Sequence, residues 1–387
     1  MKDEKIKNGL VRRGKSWSYV LRVPDEITGK TKPKWVGGFS TEKEAKLARD
    51  RARVALATNN YISGNKVTVG EYLINWIDTI HGTQLKPTTL HSYNRVIRSY
   101  LVPGLGSIRL QELKPSHIQA FYQDLLTKPN KSGRPLAPKS VEYAGGVLRV
   151  ALNYAVKTDN LLPFNPSERL AMPKGKSSTP TPWNLSELVT FLTEAELHRL
   201  GFFFRLASYT GARRGELLAL RWSDFDGKTI SITKSRSMAG KVVVEQNSTK
   251  GGNNGQRRVA LDPETIRLFQ EHRAKQSKEK EYAFSLGAWN NTGYVFTRED
   301  GLPVDVKTVS QLFTKISKRL GMRHIRLHDL RHLHATELLR LGEPLHVVAQ
   351  RLGHRDAMVT ATIYAHVSNE QAETASNKFA NAVSGIA

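Results

Sequence analysis

Residues 209–220 read Tyr-Thr-Gly-Ala-Arg-Arg-Gly-Glu-Leu-Leu-Ala-Leu, and no other stretch indicates the fold as strongly. They predict a glycine turn that leads into an apolar helix, with Arg213 and Arg214 side by side at its start. A guanidinium in that place suits a phosphate, because it offers a rigid fork of donors and the helix N-terminus adds a positive field. The same pattern is typical of an ordinary capped helix with surface arginines, and the stretch alone favours that simpler interpretation.

A histidine-rich segment, His328-Asp329-Leu330-Arg331-His332-Leu333-His334, is compatible with two kinds of site. On a helix, His328 would lie near Arg331 and, one turn later, near His332. The two histidines have the spacing of a zinc-binding pair, but Arg331 would repel a metal and no glutamate takes the general-base position. We therefore predict no metal, and favour a phosphate site in which Arg331 binds a non-bridging oxygen and His328 transfers a proton.

A third motif, Leu352-Gly353-His354, is followed by Thr362-Ile363-Tyr364-Ala365-His366. A histidine after a glycine is most often part of a helix cap, and a tyrosine is most often a packing residue. Neither residue indicates catalysis by itself.

In their order along the chain, these motifs resemble the catalytic signature of the tyrosine recombinases, and the full layout resembles a phage-type integrase. The resemblance implies six catalytic residues, which are Arg213, Lys250, His328, Arg331, His354 and Tyr364. Lys250 precedes Arg257-Arg258-Val259-Ala260-Leu261, where the family places a lysine between paired strands, and Lys241 and Lys234 are the alternatives. Glu216 and Asp224 also fit the family pattern, as residues that support the site and pack the helix.

The resemblance also implies the reaction. Tyr364 would attack a DNA phosphodiester to give a 3′-phosphotyrosyl enzyme and a free 5′-hydroxyl, with the bond energy stored so that neither ATP nor another cofactor is required. Arg213 and Arg331 would stabilise the charge on the non-bridging oxygens, and His354 would add a hydrogen bond. Lys250 would protonate the departing oxygen, and His328 would assist proton movement at Tyr364.

Composition agrees with a DNA-binding protein. The 387 residues carry a formal net charge of +24, which calls for a polyanionic partner, and the excess is spread over all segments. With 39% hydrophobic and 24% charged residues, the chain is globular rather than disordered or membrane-spanning. It has no cysteine and no signal peptide is predicted, which indicates a reducing, cytoplasmic setting.

The first 60 residues predict a small sheet followed by a helix. Alternation from Trp17 to Val23 indicates one strand, a turn follows at residues 26–30, and a second strand lies near Trp35. The helix begins at the capping box Thr41–Glu44, carries alanines on one face and shows charges, Arg49 among them, on the others. Those charges fit a solvated surface and a DNA-contacting one equally well. The resemblance implies an arm-type DNA-binding domain at residues 1–60, with candidate DNA contacts at Arg12, Arg13, Lys15, Lys32 and Lys34.

Residues 67–160 are predicted to be wholly helical. The capping box at Thr68 starts the first helix, and Pro87, Pro115 and Pro138 suit the first turns of three more. The resemblance implies an all-α, SAM-like core-binding domain, with Arg95 and Arg98 facing outward as candidate DNA contacts beside Arg214 of the catalytic part. The proline-rich residues 161–183 predict a linker.

Residues 184–387 predict a mixed α/β, mainly helical catalytic domain with a strand cluster near 228–261. Its tail, residues 368–387, would dock on a neighbouring subunit or pack on its own domain. The sequence thus predicts a multidomain, cytoplasmic integrase that inserts or excises phage or other mobile DNA. It would act as a homotetramer on core-type and arm-type sites of double-stranded DNA, with an accessory DNA-bending protein and an excision factor. The alternatives are a type IB topoisomerase-like nicking-closing enzyme and a non-catalytic DNA-binding protein.

Overall fold

The computed structural model of the protein describes residues 8–24, 30–57, 66–130, 133–173, 182–247 and 255–354, together with Ala380 and Ser384. The predicted turn at 26–30, apart from Lys30, and the predicted catalytic residues Lys250 and Tyr364 lie outside the described residues. The chain divides into two compact units, Met1–Lys176 and Ser177–Ala387. Within the described residues, no helix is both long and apolar enough to cross a membrane.

The first unit begins with a three-stranded antiparallel sheet in the order β1-β2-β3, followed by helix α1. The elements are β1 (Leu10–Arg13), β2 (Ser16–Pro24), β3 (Thr31–Phe39) and α1 (Glu42–Ala57). Tyr19 and Leu21 of β2 are buried with Leu10 and Ala45, so one face of the sheet packs on the alanine face of α1. The sheet and helix are therefore confirmed, whereas β1 was not predicted, because four residues are too few to show an alternating pattern.

The strand register separates the predicted DNA contacts of this part. Arg12 pairs with Trp17 and Lys34 with Leu21, so both are on the sheet face that α1 covers. Arg13 is on the opposite face, where its guanidinium lies 4.6 Å from the ring centre of the 41% exposed Trp35. Both interpretations of the α1 charges, as a solvated surface and as a DNA-contacting one, required an exposed side chain, and for Arg49 both are wrong. Its side chain is buried and donates to the Asn8 carbonyl and the Asp50 carboxylate, because α1 packs this flank on the sheet.

In the described residues, the helical part of the first unit has five α-helices. These are α2 (Val69–Asn75), α3 (Pro87–Val96), α4 (Val102–Leu105), α5 (Pro115–Thr127) and α6 (Pro138–Lys157). The capping box at Thr68 and the three proline starts are confirmed. π-Helical turns at Trp76–Ile80 and Ile97–Leu101 extend α2 and join α3 to α4. One apolar core, centred on residues such as Trp76, Leu101 and Leu148, holds the helices together.

The described part of the predicted linker is packed at both ends. Asn165 donates to the Arg149 carbonyl at 3.1 Å, and Leu162 and Met172 join the helical core of the first unit. At the other end, Trp183 is buried in the core of the second unit and donates to the Arg323 carbonyl at 2.9 Å. The described ends of the predicted linker therefore belong to the cores of the two units.

The described part of the second unit is mainly helical, as predicted, with two small antiparallel sheets that pair β4 with β7 and β5 with β6. Its helices are α7 (Leu185–Glu196), α8 (Gly201–Thr210), α9 (Arg214–Leu218), α10 (Pro263–Ser285), α11 (Thr308–Arg319), α12 (Asp329–Arg340) and α13 (Leu345–Leu352). The strands are β4 (Thr229–Ile232), β5 (Ser235–Ala239), β6 (Val242–Gln246) and β7 (Arg257–Ala260). The aromatic core around Phe203, Phe204 and Phe313 fixes α7, α8 and α11 in place.

Candidate active site

Arg331, in the first turn of α12, is held between the ends of two other helices. Its side chain is 4% exposed and donates to the Gly211 carbonyl, at the end of α8, and to the Leu352 carbonyl, at the end of α13, both at 2.7 Å. The last carbonyls of a helix have no partner within the helix and carry its negative pole. The guanidinium satisfies both, so its position is fixed by the main chain of the unit.

The two helix ends require glycine. Gly211 and Gly353 are the C-caps of α8 and α13, with left-handed φ values of 63° and 67°. A Cβ on Gly211 would lie 2.6 Å from a methyl carbon of Leu352, and one on Gly353 would lie 2.8 Å from the Arg257 guanidinium. Both glycines of the sequence motifs therefore bring helix ends close enough to share Arg331.

Arg213 is the residue just before α9, and a buried carboxylate positions it. Glu216, with a side chain 1% exposed, accepts from the Arg213 side chain and main-chain N–H, each at 2.8 Å. Burial alone would raise the pKa of Glu216, but the neighbouring Arg257 and Arg213 guanidiniums lower it, so it stays ionised. Arg213 also donates to the Gly353 carbonyl at 3.5 Å, which brings it to the same helix end as Arg331.

His328 and His354 lie within the field of these arginines. His328 is the residue before α12, not within the helix as predicted, and its ring meets that of His332 edge-on at 5.2 Å. The pKa of His328 is lowered to about 4, first by loss of hydration and then by the neighbouring His332, Arg331 and Arg213. The pKa of His354 is also lowered to about 4, first by burial and then by the charges of Arg331 and Arg213. Both rings are therefore neutral at pH 7 in the free protein.

The site is positively charged and open. Among the described residues, the hydrogen bonds of Arg213, Arg257 and Arg331 include one carboxylate partner, that of Glu216. His328 is exposed, and Arg213 and His354 are half-buried, so one side of the cluster faces solvent. Partly exposed guanidinium and imidazole groups beside the buried Arg331 suit an anion that lies on the protein surface, as a DNA phosphate does.

Four of the six predicted catalytic residues therefore meet in one place, and these are Arg213, His328, Arg331 and His354. Lys250 and Tyr364 are outside the described residues, so their positions stay predictions. The alternative lysines are on or beside the β5–β6 hairpin, with Lys241 in its turn and Lys234 just before β5. Asp224 accepts from the Arg221 main-chain N–H at 2.8 Å and caps a short 3-10 turn, which is a packing role.

The histidine segment does not assemble as a metal site in the described part of the chain. There, no three His, Asp or Glu side chains lie together as metal ligands. His334 bonds other residues, since its Nε2 accepts from Arg351 at 3.2 Å and its ring is hydrogen-bonded to the Ser208 backbone. Burial and the Arg351 charge lower the pKa of His334 to about 4.

The depressed pKa of His334 predicts a pH-dependent stability of the second unit. In the unfolded chain the ring titrates near pH 6.5, so the unfolded state takes up protons first as the pH falls. The stability is complete above pH 6.5 and is lost as the pH falls toward 4, by about 1 kcal/mol at pH 5.5 from this residue. Urea unfolding at pH 7.5 and 5.5 measures the loss. His334→Gln keeps both hydrogen bonds without titrating, and an unchanged pH dependence in this variant would contradict the assignment.

The remaining predicted DNA contacts are scattered over the surface. In the first unit, Arg95 is exposed, whereas Arg98 forms a 2.7 Å ion pair with Asp78 of the preceding π-helical turn. In the second unit, Arg214 is exposed and donates to Ser310 at 2.7 Å. Sequence reasoning did not single out Arg22, which is exposed on the same sheet face as Arg13, or the buried Arg257.

Comparison with known families matches three parts of the chain. Residues 181–371 match the phage integrase family, residues 68–126 match the phage integrase N-terminal SAM-like domain, and residues 10–52 match an arm DNA-binding domain. The chain belongs to the phage integrase family. It is therefore an enzyme of the tyrosine recombinase class, and its activity is site-specific DNA recombination.

Individual relatives and solved structures are similar to most of the chain. A tyrosine recombinase XerC-like protein of Caldanaerobacter subterraneus subsp. tengcongensis is 28% identical over 94% of this chain and 96% of its own length. The fold is similar to that of the Tn1549 transposon integrase in complex with a circular intermediate DNA, with a TM-score of 0.68 at 18% identity, over 81% of this chain and 99% of that one. A lambda integrase tetramer bound to a Holliday junction gives a TM-score of 0.57 at 18% identity, over 94% and 96%.

Proposed function

We propose that this integrase cleaves and rejoins DNA through a 3′-phosphotyrosine intermediate formed by Tyr364, and so integrates or excises phage or other mobile DNA. The observation that carries the proposal is the convergence of Arg213 and Arg331 at the ends of α8 and α13, with His328 and His354 close to both arginines. This cluster has the donors and the positive charge that a scissile phosphate requires.

The two arginines would stabilise the charge that develops at the phosphate, and different groups hold each of them in place. As the Tyr364 oxygen attacks phosphorus, negative charge develops on the non-bridging oxygens, and fixed donors lower the barrier because they need no reorganisation. Arg331 is fixed by two carbonyls and Arg213 by Glu216, so both guanidiniums are oriented before DNA arrives.

Proton transfers complete the balance of the first step. The tyrosine hydroxyl loses its proton as the O–P bond forms, and the bond from phosphorus to the 5′-oxygen breaks. We assign neutral His328 as the acceptor of the Tyr364 proton. We assign Lys250 as the donor of a proton to the departing 5′-oxygen. His354, also neutral, stabilises a non-bridging oxygen by a hydrogen bond. The reverse sequence, with a 5′-hydroxyl of another strand, rejoins the DNA.

The other parts of the chain would bring two kinds of DNA site to this centre. We assign residues 1–60 to arm-type sites, 67–160 to core-type sites and 184–387 to catalysis. Exposed Arg13, Arg22 and Trp35 share the sheet face opposite α1 and are the better candidates for arm-site contact than Arg12 or Lys34. The assembly would be a homotetramer on paired sites in the cytoplasm of a bacterial host, with a DNA-bending protein and an excision factor as accessory partners.

Covalent trapping tests the proposal. The full chain is incubated with a nicked suicide duplex of the element's own junction sequence, in the presence of a metal chelator, and analysed on a denaturing gel. A protein–DNA adduct is expected. No adduct on DNA that the protein binds would contradict the proposal and favour a non-catalytic DNA-binding protein. Strand exchange between two duplexes then separates a recombinase from a topoisomerase-like enzyme, which relaxes DNA without pairing sites.

A further inference from the structure

A third arginine, Arg257 on β7, is buried behind the proposed active site. Its side chain is 4% exposed. One end nitrogen forms a 2.8 Å ion pair with Glu216, the other donates to the Gly255 carbonyl at 3.1 Å, and Nε donates to the Arg351 carbonyl at 2.7 Å. All three nitrogens of the guanidinium are therefore used within the protein, and it cannot itself reach a substrate.

Its partners lead to two of the proposed catalytic residues. Glu216 uses one oxygen for Arg257 and the other for the Arg213 side chain, so a continuous chain of charged hydrogen bonds runs from Arg257 to Arg213. On the other side, Arg257 binds the last turn of α13, whose C-cap Gly353 precedes His354. Any Cβ at Gly353 would press on the Arg257 guanidinium, which shows how closely this turn is seated.

We propose that Arg257 is a positioning residue of the recombination reaction, which orients Arg213 through Glu216 and His354 through the end of α13. The inference rests on the proposed function, since it assumes that Arg213 and His354 bind the scissile phosphate. Its physical basis is that a carboxylate shared by two guanidiniums has one stable orientation. Without Arg257, Glu216 would rotate toward Arg213 and withdraw that guanidinium from the phosphate.

The neighbouring Arg258 offers a matched control. It is on the same strand but points to the other face, with a 68% exposed side chain that pairs with Asp226. Arg257→Met and Arg258→Met are therefore the same substitution at adjacent positions, and only the first changes the hydrogen-bond chain to Arg213.

The test compares two suicide duplexes, one with the natural scissile phosphodiester and one with a methylphosphonate there, which lacks the negative charge. Single-turnover adduct formation is measured for wild type, both methionine variants and Arg213→Met. We expect Arg257→Met to lose about 10–100-fold on the phosphodiester. On the methylphosphonate we expect the loss to fall to a few-fold, as for Arg213→Met, because the charge that Arg213 neutralises is absent. Arg258→Met is expected to match wild type on both.

An equal loss for Arg257→Met on both duplexes would show a merely structural role and overturn the inference, as would an unchanged rate on the phosphodiester. If the methionine variant does not fold, Arg257→Lys is used, since an ammonium can pair with Glu216 but cannot hold the three acceptors at once. That variant is expected to lose about 10-fold on the phosphodiester and less on the methylphosphonate. Wild-type rates would overturn the inference. A wild-type protein that forms no adduct would instead contradict the proposed function.

Discussion

Tyr364→Phe is expected to abolish the covalent protein–DNA adduct, with a loss on the order of 10⁴-fold or more in the rate of its formation. Phenylalanine keeps the ring but removes the oxygen that would bond to phosphorus. The chain contains no cysteine that could take over as a thiol nucleophile. DNA affinity is expected to stay within about two-fold, because binding depends on the many phosphate contacts of a chain with a net charge of +24. Gel shift and suicide-duplex trapping of the same preparation measure the two quantities.

Tyr282→Phe is the matched control for this prediction. Tyr282 is in the same unit, on α10, and is 72% exposed, so its hydroxyl can be removed without disturbing a core. Its adduct yield should equal that of wild type. An adduct that persists in Tyr364→Phe would mean that another residue is the nucleophile, and peptide mapping of the trapped complex would then identify it.

The order of short motifs made much of the candidate site predictable. Arg213, His328, Arg331 and His354 are spread over more than 140 residues, yet each stands in a local pattern of glycine turn or helix end that the sequence displays. The structure adds the reason for those glycines, since Gly211 and Gly353 end the two helices whose carbonyls hold Arg331. Local patterns are readable because they depend on backbone conformation close in sequence.

Long-range ion pairs and side-chain hydrogen bonds could not be predicted in this way. Arg257 and Glu216 are 41 residues apart, and a charged residue on a short strand is as typical of a solvated surface as of a buried pair. Arg49, whose partner Asn8 is also 41 residues away, was misjudged for the same reason. Arg98 was correctly placed on the surface, but its pairing with Asp78 depends on how two π-helical turns pack together. Side-chain partners distant in sequence are decided by tertiary packing, which periodicity does not encode.

Arg331→Lys is expected to slow adduct formation by about 10²–10³-fold at pH 8. The guanidinium bonds the Gly211 and Leu352 carbonyls through separate nitrogens and has further N–H groups for a phosphate. A lysine carries all its donors on one atom and cannot bridge two helix ends while it binds an anion. A lysine at this position would also lose its charge more easily, because burial, with Arg213 as a further cause, already lowers the pKa of Arg331 to about 9.

The pH dependence of the lysine variant is the sharper readout. A lysine starts from a lower pKa than arginine, so in the same surroundings its pKa should fall to about 7. The lysine would be largely neutral at pH 8 and charged at pH 6. The ratio of variant to wild-type rate should therefore rise about ten-fold as the pH falls from 8 to 6. His328 and His354, with pKa values of about 4, do not change charge there in the free protein. Single-turnover rates at pH 6, 7 and 8 give the ratio.

Arg340→Lys, on the same helix but at an exposed position that pairs with Glu337, is the control and should follow wild type at every pH. The rate ratio for Arg331→Lys could instead stay constant, with the large loss of rate retained at pH 6. That result would mean that the geometry of the guanidinium donors, rather than their charge, limits the reaction. A loss below about three-fold at pH 8 would contradict the placement of Arg331 at the phosphate altogether. In that case the two helix ends would need the arginine only for stability, and urea unfolding of the variant would show the whole effect.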